Sequence, residues 1–109
     1  MKGYEYDEDL DILYVNNNPE KEKSAGTIVF GNIVIDVGEH GKVLGVEADC
    51  ASKIFNFPAE KFNELLSAKV HIGKMDNVLM LGIALVTPVR EHTFQFAIQE
   101  SENQIPVNY

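Results

Sequence analysis

Val78-Leu79-Met80-Leu81-Gly82-Ile83-Ala84-Leu85-Val86 is the longest apolar run in the chain, and its reading settles the fold. A transmembrane helix needs about 20 apolar residues, so the run is too short to span a bilayer. Lys74-Met75-Asp76-Asn77 turns the chain before it, and Thr87-Pro88 breaks it afterwards. Short length and flanking turns predict a β-strand buried on both faces rather than a helix.

The segments on either side keep a period of two. After the run, His92 to Ile98 alternates, with Phe94, Phe96 and Ile98 facing in and Thr93, Gln95 and Gln99 facing out. Before it, Val70 and Ile72 alternate with Lys69, His71 and Gly73. Further upstream the period changes. Ala59, Phe62, Leu65 and Leu66 recur at helical spacing, with Glu60, Lys61, Asn63 and Glu64 opposite, which predicts a helix over Pro58–Ala68. Pro58 suits the first turn of that helix and must end any helix before it. Asp49 is the predicted N-cap of such a shorter helix, Cys50 to Phe55.

Five strands are predicted in the first half, or four if the middle two are one. Lys2–Tyr6 and Leu10–Val15 form a hairpin around Asp7-Glu8-Asp9, because aspartate suits turns and is disfavoured in strands. Asn16 to Lys23 lacks any strongly apolar residue and reads as an exposed connection. Thr27–Phe30 and Asn32–Val37, parted by Gly31, are two short strands or one strand with a glycine bulge. Gly38-Glu39-His40-Gly41 is a hairpin turn into Lys42–Ala48. The tail Gln104-Ile105-Pro106-Val107-Asn108-Tyr109 is apolar enough to dock. The predicted fold is therefore α+β: a twisted antiparallel sheet of about six or seven strands with one main helix on one face. At 109 residues the chain reads as a single domain, 1–109, a β-rich half (1–57) joined to a helix and β-meander (58–109).

Tyr6-Asp7-Glu8-Asp9-Leu10-Asp11-Ile12-Leu13-Tyr14-Val15 and Ile33-Val34-Ile35-Asp36-Val37-Gly38-Glu39-His40-Gly41-Lys42-Val43-Leu44-Gly45-Val46-Glu47-Ala48 carry a family resemblance. They resemble the domain of unknown function 2283 family of small prokaryotic proteins. That family opens with a tyrosine, an acidic turn and an apolar strand ending near a second tyrosine. A strand, an acidic-glycine turn and a Leu-Val-Gly-Ile-Glu-like strand follow. Asp49, Ala51 and Ser52 fall where the family has an Asp-Ala-Ser helix start, with Cys50 inserted as a departure. The resemblance covers the first half of the chain. It implies a small α+β fold and carries no activity.

Charge narrows the function classes. Seventeen acids against nine Lys and Arg leave a net charge of -8, and seven of those acids precede Ser24. Such a field repels phosphate and disfavours nucleic acid and anionic membranes. A single cysteine, Cys50, cannot form an internal disulfide, and Met1 to Asp7 has no apolar signal core. A soluble, cytoplasmic protein is expected.

No motif assigns a catalytic, cofactor-binding or metal-ligating residue, and no cofactor is expected. Asp7, Glu8, Asp9 and Asp11 suggest a calcium loop, but Ile12 stands where glycine is needed and Asn18 where glutamate is needed. His40, His71 and His92 lack the spacing that sets ligands on one face. Cys50 reads as a buried structural thiol, since Asp49 beside it opposes a thiolate. The leading expectation is a non-enzymatic interaction or assembly protein. A small metal-dependent hydrolase using the N-terminal acids with a histidine, and an acidic antitoxin-like partner of a basic protein, are the alternatives. One helix cannot cover both faces of Val78–Val86, so a homodimer through the C-terminal half is also expected.

Overall fold

A computed structural model describes residues 3–99. Among these residues eight strands form two antiparallel sheets. The first half supplies β1 (Tyr4–Asp7), β2 (Ile12–Asn16), β3 (Ser24–Phe30), β4 (Ile33–Gly38) and β5 (Val43–Asp49). These join in the order β1-β2-β5-β4-β3. After a four-residue helix, α1 (Ala51–Ile54), and a 3-10 segment (Ala59–Glu64), the second half adds β6 (Ser67–Met75), β7 (Val78–Val86) and β8 (Glu91–Gln99). That sheet runs β6-β7-β8, with β7 central.

Alternation along the strands decides what each sheet buries. Leu13, Val15, Ile35, Val37, Val46 and Ala48 from the larger sheet lie in one hydrophobic cluster with Leu79, Leu81, Ile83 and Leu85 of β7. The other face of β7 is handled by size. Gly82 and Ala84 are buried there, opposite exposed His71 and Lys69 on β6 and exposed Gln95 and Thr93 on β8. The strand is buried on both faces at its centre, yet only one of those faces packs on the larger sheet. The homodimer expectation rested on a single helix having to cover both sides. The larger sheet, rather than a helix, contributes the residues packed with one side.

The α+β expectation is overturned: the protein is mostly β-sheet, in two sheets rather than one, and among the described residues no helix is as long as seven residues. The Pro58–Ala68 helix is absent. Pro58 caps a 3-10 segment instead, and Leu65 is already extended (φ -63°, ψ 136°). Two forces explain this. Ala59, Phe62 and Leu65 are spaced by three, the 3-10 repeat, and Phe62 and Leu65 are fully buried while Leu66 is 57% exposed. The Tyr4 hydroxyl also shares its one proton between the Phe62 carbonyl (2.9 Å) and the Leu65 carbonyl (3.0 Å), and the Phe62 carbonyl is the acceptor an α-helix would give to the Leu66 N–H. Leu66 N–H then bonds Val86 O at 2.8 Å and commits the chain to β6.

The earlier short helix is also smaller than expected, and Asp49 does not cap it. Cys50 occupies the N-cap in left-handed conformation (φ 54°) with no side-chain cap bond. Cys50 is exposed there and is not a buried structural residue. The C-terminal tail from Gln104 lies outside the described residues.

Candidate functional site

The acidic turn is a structural latch. Asp11, itself in left-handed conformation, accepts the Ser52 backbone N–H at 3.0 Å and the Ser52 hydroxyl at 2.6 Å. It also accepts the Tyr6 hydroxyl at 2.6 Å. Burial pushes the Asp11 carboxyl up, but the bonds from Ser52 and Tyr6 outweigh it and hold Asp11 below the usual carboxylate range. Burial, then Asp11 itself, drives the Tyr6 phenol well above its ordinary value. An aspartate forty-one residues away in sequence thus caps α1 in place of Asp49.

Two other acids of the turn, Asp7 and Glu8, have separate partners. Asp7 accepts Leu10 N–H at 3.1 Å, and Glu8 accepts the Asn63 amide at 2.7 Å. His40 lies in the β4–β5 turn, His71 on the outer face of β6, and His92 on the inner side of β8. Among the described residues, no group of three or more His, Cys, Asp and Glu side chains is placed to hold a metal ion. None of their helices is long and apolar enough to cross a membrane.

On the outer face of the larger sheet, Tyr14, Glu47 and Glu5 occupy one cross-strand row. Tyr14 lies over Gly45, where a Cβ would overlap its hydroxyl. Glu47 is pushed up by burial and then by Asp49. Asp49 has one buried oxygen, Oδ1, without a hydrogen-bond donor.

A concavity lies elsewhere, where α1's exit meets the β7–β8 turn. The chain leaves α1 through a Schellman motif: Phe57 N–H reaches Ser52 O (3.0 Å) and Asn56 N–H reaches Lys53 O (3.2 Å). Asn56 takes the left-handed position (φ 47°), a role it shares with glycine. This reversal buries Phe55 and Phe57 on either side of exposed Asn56. Across from them, Thr87 ties the β7–β8 turn. Its hydroxyl donates to Arg90 O (2.9 Å) and accepts the Arg90 N–H (3.1 Å). Between the two turns lies a cleft of about 650 Å³.

Aromatic rings form its floor. Phe55 meets Phe94 edge-on with centroids 4.8 Å apart, and Phe57 meets His92 edge-on at 5.4 Å. Phe57 also rests on Phe62 at 5.0 Å, and Phe62 stacks on Tyr6 at 4.5 Å. The cleft is therefore tied through Phe62 and Tyr6 to the Asp11 latch. Exposed Lys61, Glu64, Val89 and Arg90 form the rim. Sequence reasoning weighed His92 only with His40 and His71 as a metal ligand, set all three aside on spacing, and missed the cleft. The available signal was a pair of breaks, Phe55-Asn56-Phe57-Pro58 and Thr87-Pro88-Val89-Arg90, each setting apolar residues beside a turn.

Fold and site together define a small protein of two antiparallel sheets with an aromatic cleft at one end. Residues 4–52 match the model of a family described as a protein of unknown function (DUF2283), the resemblance that the first half of the sequence carries. The match ends at Ser52, the residue Asp11 holds, so Tyr6, Asp11 and Ser52 all lie inside it. The cleft is lined from Phe55 onward and lies wholly outside it. No curated protein and no solved structure matches the chain.

Proposed function

We propose that this is a small non-enzymatic binding protein whose ligand seats in the cleft between Phe55–Lys61 and Thr87–Phe94. The observation that carries the reading is the cleft itself. Its volume of about 650 Å³ falls within the range of small-molecule sites, roughly 300–1,000 Å³. Its lining combines an apolar floor with a few polar groups at the rim, as such sites do. The walls are preorganised: Phe57 is clamped between His92 and Phe62, and both bordering turns are closed by their own hydrogen bonds. A ligand entering there meets little ordering cost.

The matched segment then serves as the scaffold, with the latch holding α1 and its exit in place. A titration with N-phenyl-1-naphthylamine, a neutral dye that brightens in apolar surroundings, tests the reading. Saturable enhancement at one site per folded chain is expected. Absence of any saturable signal from the folded protein would sink it.

A further inference from the structure

The cleft's rim departs from the charge of the rest of the chain. The protein carries -8 overall, with seventeen acids, yet the rim brings together Lys61 and Arg90 against a single carboxylate, Glu64. Lys42 pairs with Glu20 and Glu22, whereas among the described residues neither Lys61 nor Arg90 is held in an ion pair. Cations left unpaired at the mouth of an apolar cavity favour a ligand with a negative head and an apolar body. A low-dielectric floor beneath them strengthens that attraction.

We infer that the cleft takes a small amphipathic organic anion, its aromatic or alkyl body on Phe55, Phe57 and Phe94 and its carboxylate or sulfonate between Lys61 and Arg90. This rests on the cleft being the ligand site, as proposed above. Arg90 supplies the planar fork that matches a carboxylate bidentately, and Lys61 supplies a mobile point charge. Glu64 disfavours a dianion and any ligand crowded with negative charge. The surrounding acidity of the chain acts as a filter: polyanions such as nucleic acid are repelled before reaching the rim.

Two dyes of nearly the same shape separate this inference from the reading beneath it. 8-Anilinonaphthalene-1-sulfonate carries the anion, and N-phenyl-1-naphthylamine lacks it. The chain has no tryptophan, and Val89 at the lip is 89% exposed. Val89→Trp therefore installs a lone energy donor beside the cleft. The sulfonate dye is expected to quench the introduced indole and to bind tighter than the neutral dye. Arg90→Gln and Lys61→Gln should each weaken the sulfonate dye about threefold, the scale of an exposed charge contact. They should leave the neutral dye unchanged, and Lys69→Gln, on the outer face of β6, should alter neither. Added salt should weaken only the anion. If both dyes quench the indole with equal affinity and neither rim variant matters, the anion inference fails while the cleft reading stands. If neither dye quenches it, both fail. Tighter binding of an acidic aromatic peptide than of the sulfonate dye would overturn the small-molecule assignment in favour of a protein partner.

Discussion

The Asp11 carboxylate takes both the backbone N–H and the hydroxyl of Ser52, at 3.0 and 2.6 Å, and so fastens the first hairpin to the start of α1. Asp11→Ala removes the acceptor for Ser52 and for Tyr6 together and leaves the first turn of α1 uncapped. Hydrogen bonds to a charged group are each worth about 1.5–3 kcal/mol, and partial exposure lowers the yield. A loss of about 2 kcal/mol in urea unfolding is expected. Because the folded-state pKa of Asp11 is lowered, its contribution is present above the unfolded value, about 3.9, and fades as pH falls through the folded value. The gap between wild type and Asp11→Asn should therefore close in acid.

Glu47 should behave in the opposite sense. Burial and neighbouring Asp49 raise its folded pKa, so the proton is held more tightly in the folded state. Its stabilising share is complete below the unfolded value, about 4.3, and is lost as pH rises through the folded value. Glu47→Gln is neutral at every pH and is expected to raise the melting temperature at pH 7. The gain should vanish below about pH 4. An equal gain at both pH values would remove Glu47 ionisation as its cause.

Gly45 is kept bare by Tyr14. A Cβ at Gly45 would overlap the Tyr14 hydroxyl and lie 2.5 Å from Cζ, so Gly45→Ala must displace the ring. Overpacking of this kind costs about 1–3 kcal/mol. In a cycle with Tyr14→Ala, the double variant should lose less than the sum of the two single variants. Simple additivity would show that the ring does not set the requirement.

Neighbouring residues on β7 should answer very differently to the same change. Leu81 is fully buried among the core residues, whereas Met80 points to the outer face and is 39% exposed. Leu81→Asp should unfold the protein, since an unpaired buried carboxylate cannot be solvated. Met80→Asp should leave the fold intact by circular dichroism.

Much of the strand order was legible. Alternation at Phe94, Phe96 and Ile98 and the turn at Asp76-Asn77 placed β6, β7 and β8, because a period of two between turn residues has few other readings. Gly31 proved to be the turn between two strands rather than a bulge, with positive φ (56°). The helix over Pro58–Ala68 misled because Ala59, Phe62 and Leu65 satisfy both the 3.6 and the 3.0 repeat over so short a span. Tyr4, far off in sequence, takes the Phe62 carbonyl that an α-helix would need. The latch and the cleft were hidden for the same reason. Asp11 meets Ser52, and Phe57 meets His92, across separations that no local pattern reports.

Chemical-shift mapping of the backbone amides during a titration with 1-naphthol tests the cleft most directly. The expected result is saturable shifts gathered at Phe55–Lys61 and Thr87–Phe94, with β3 and the outer face of β7 unmoved. Shifts confined to the exposed Val29 and Phe30 on β3, or no saturable shift at all, would contradict it.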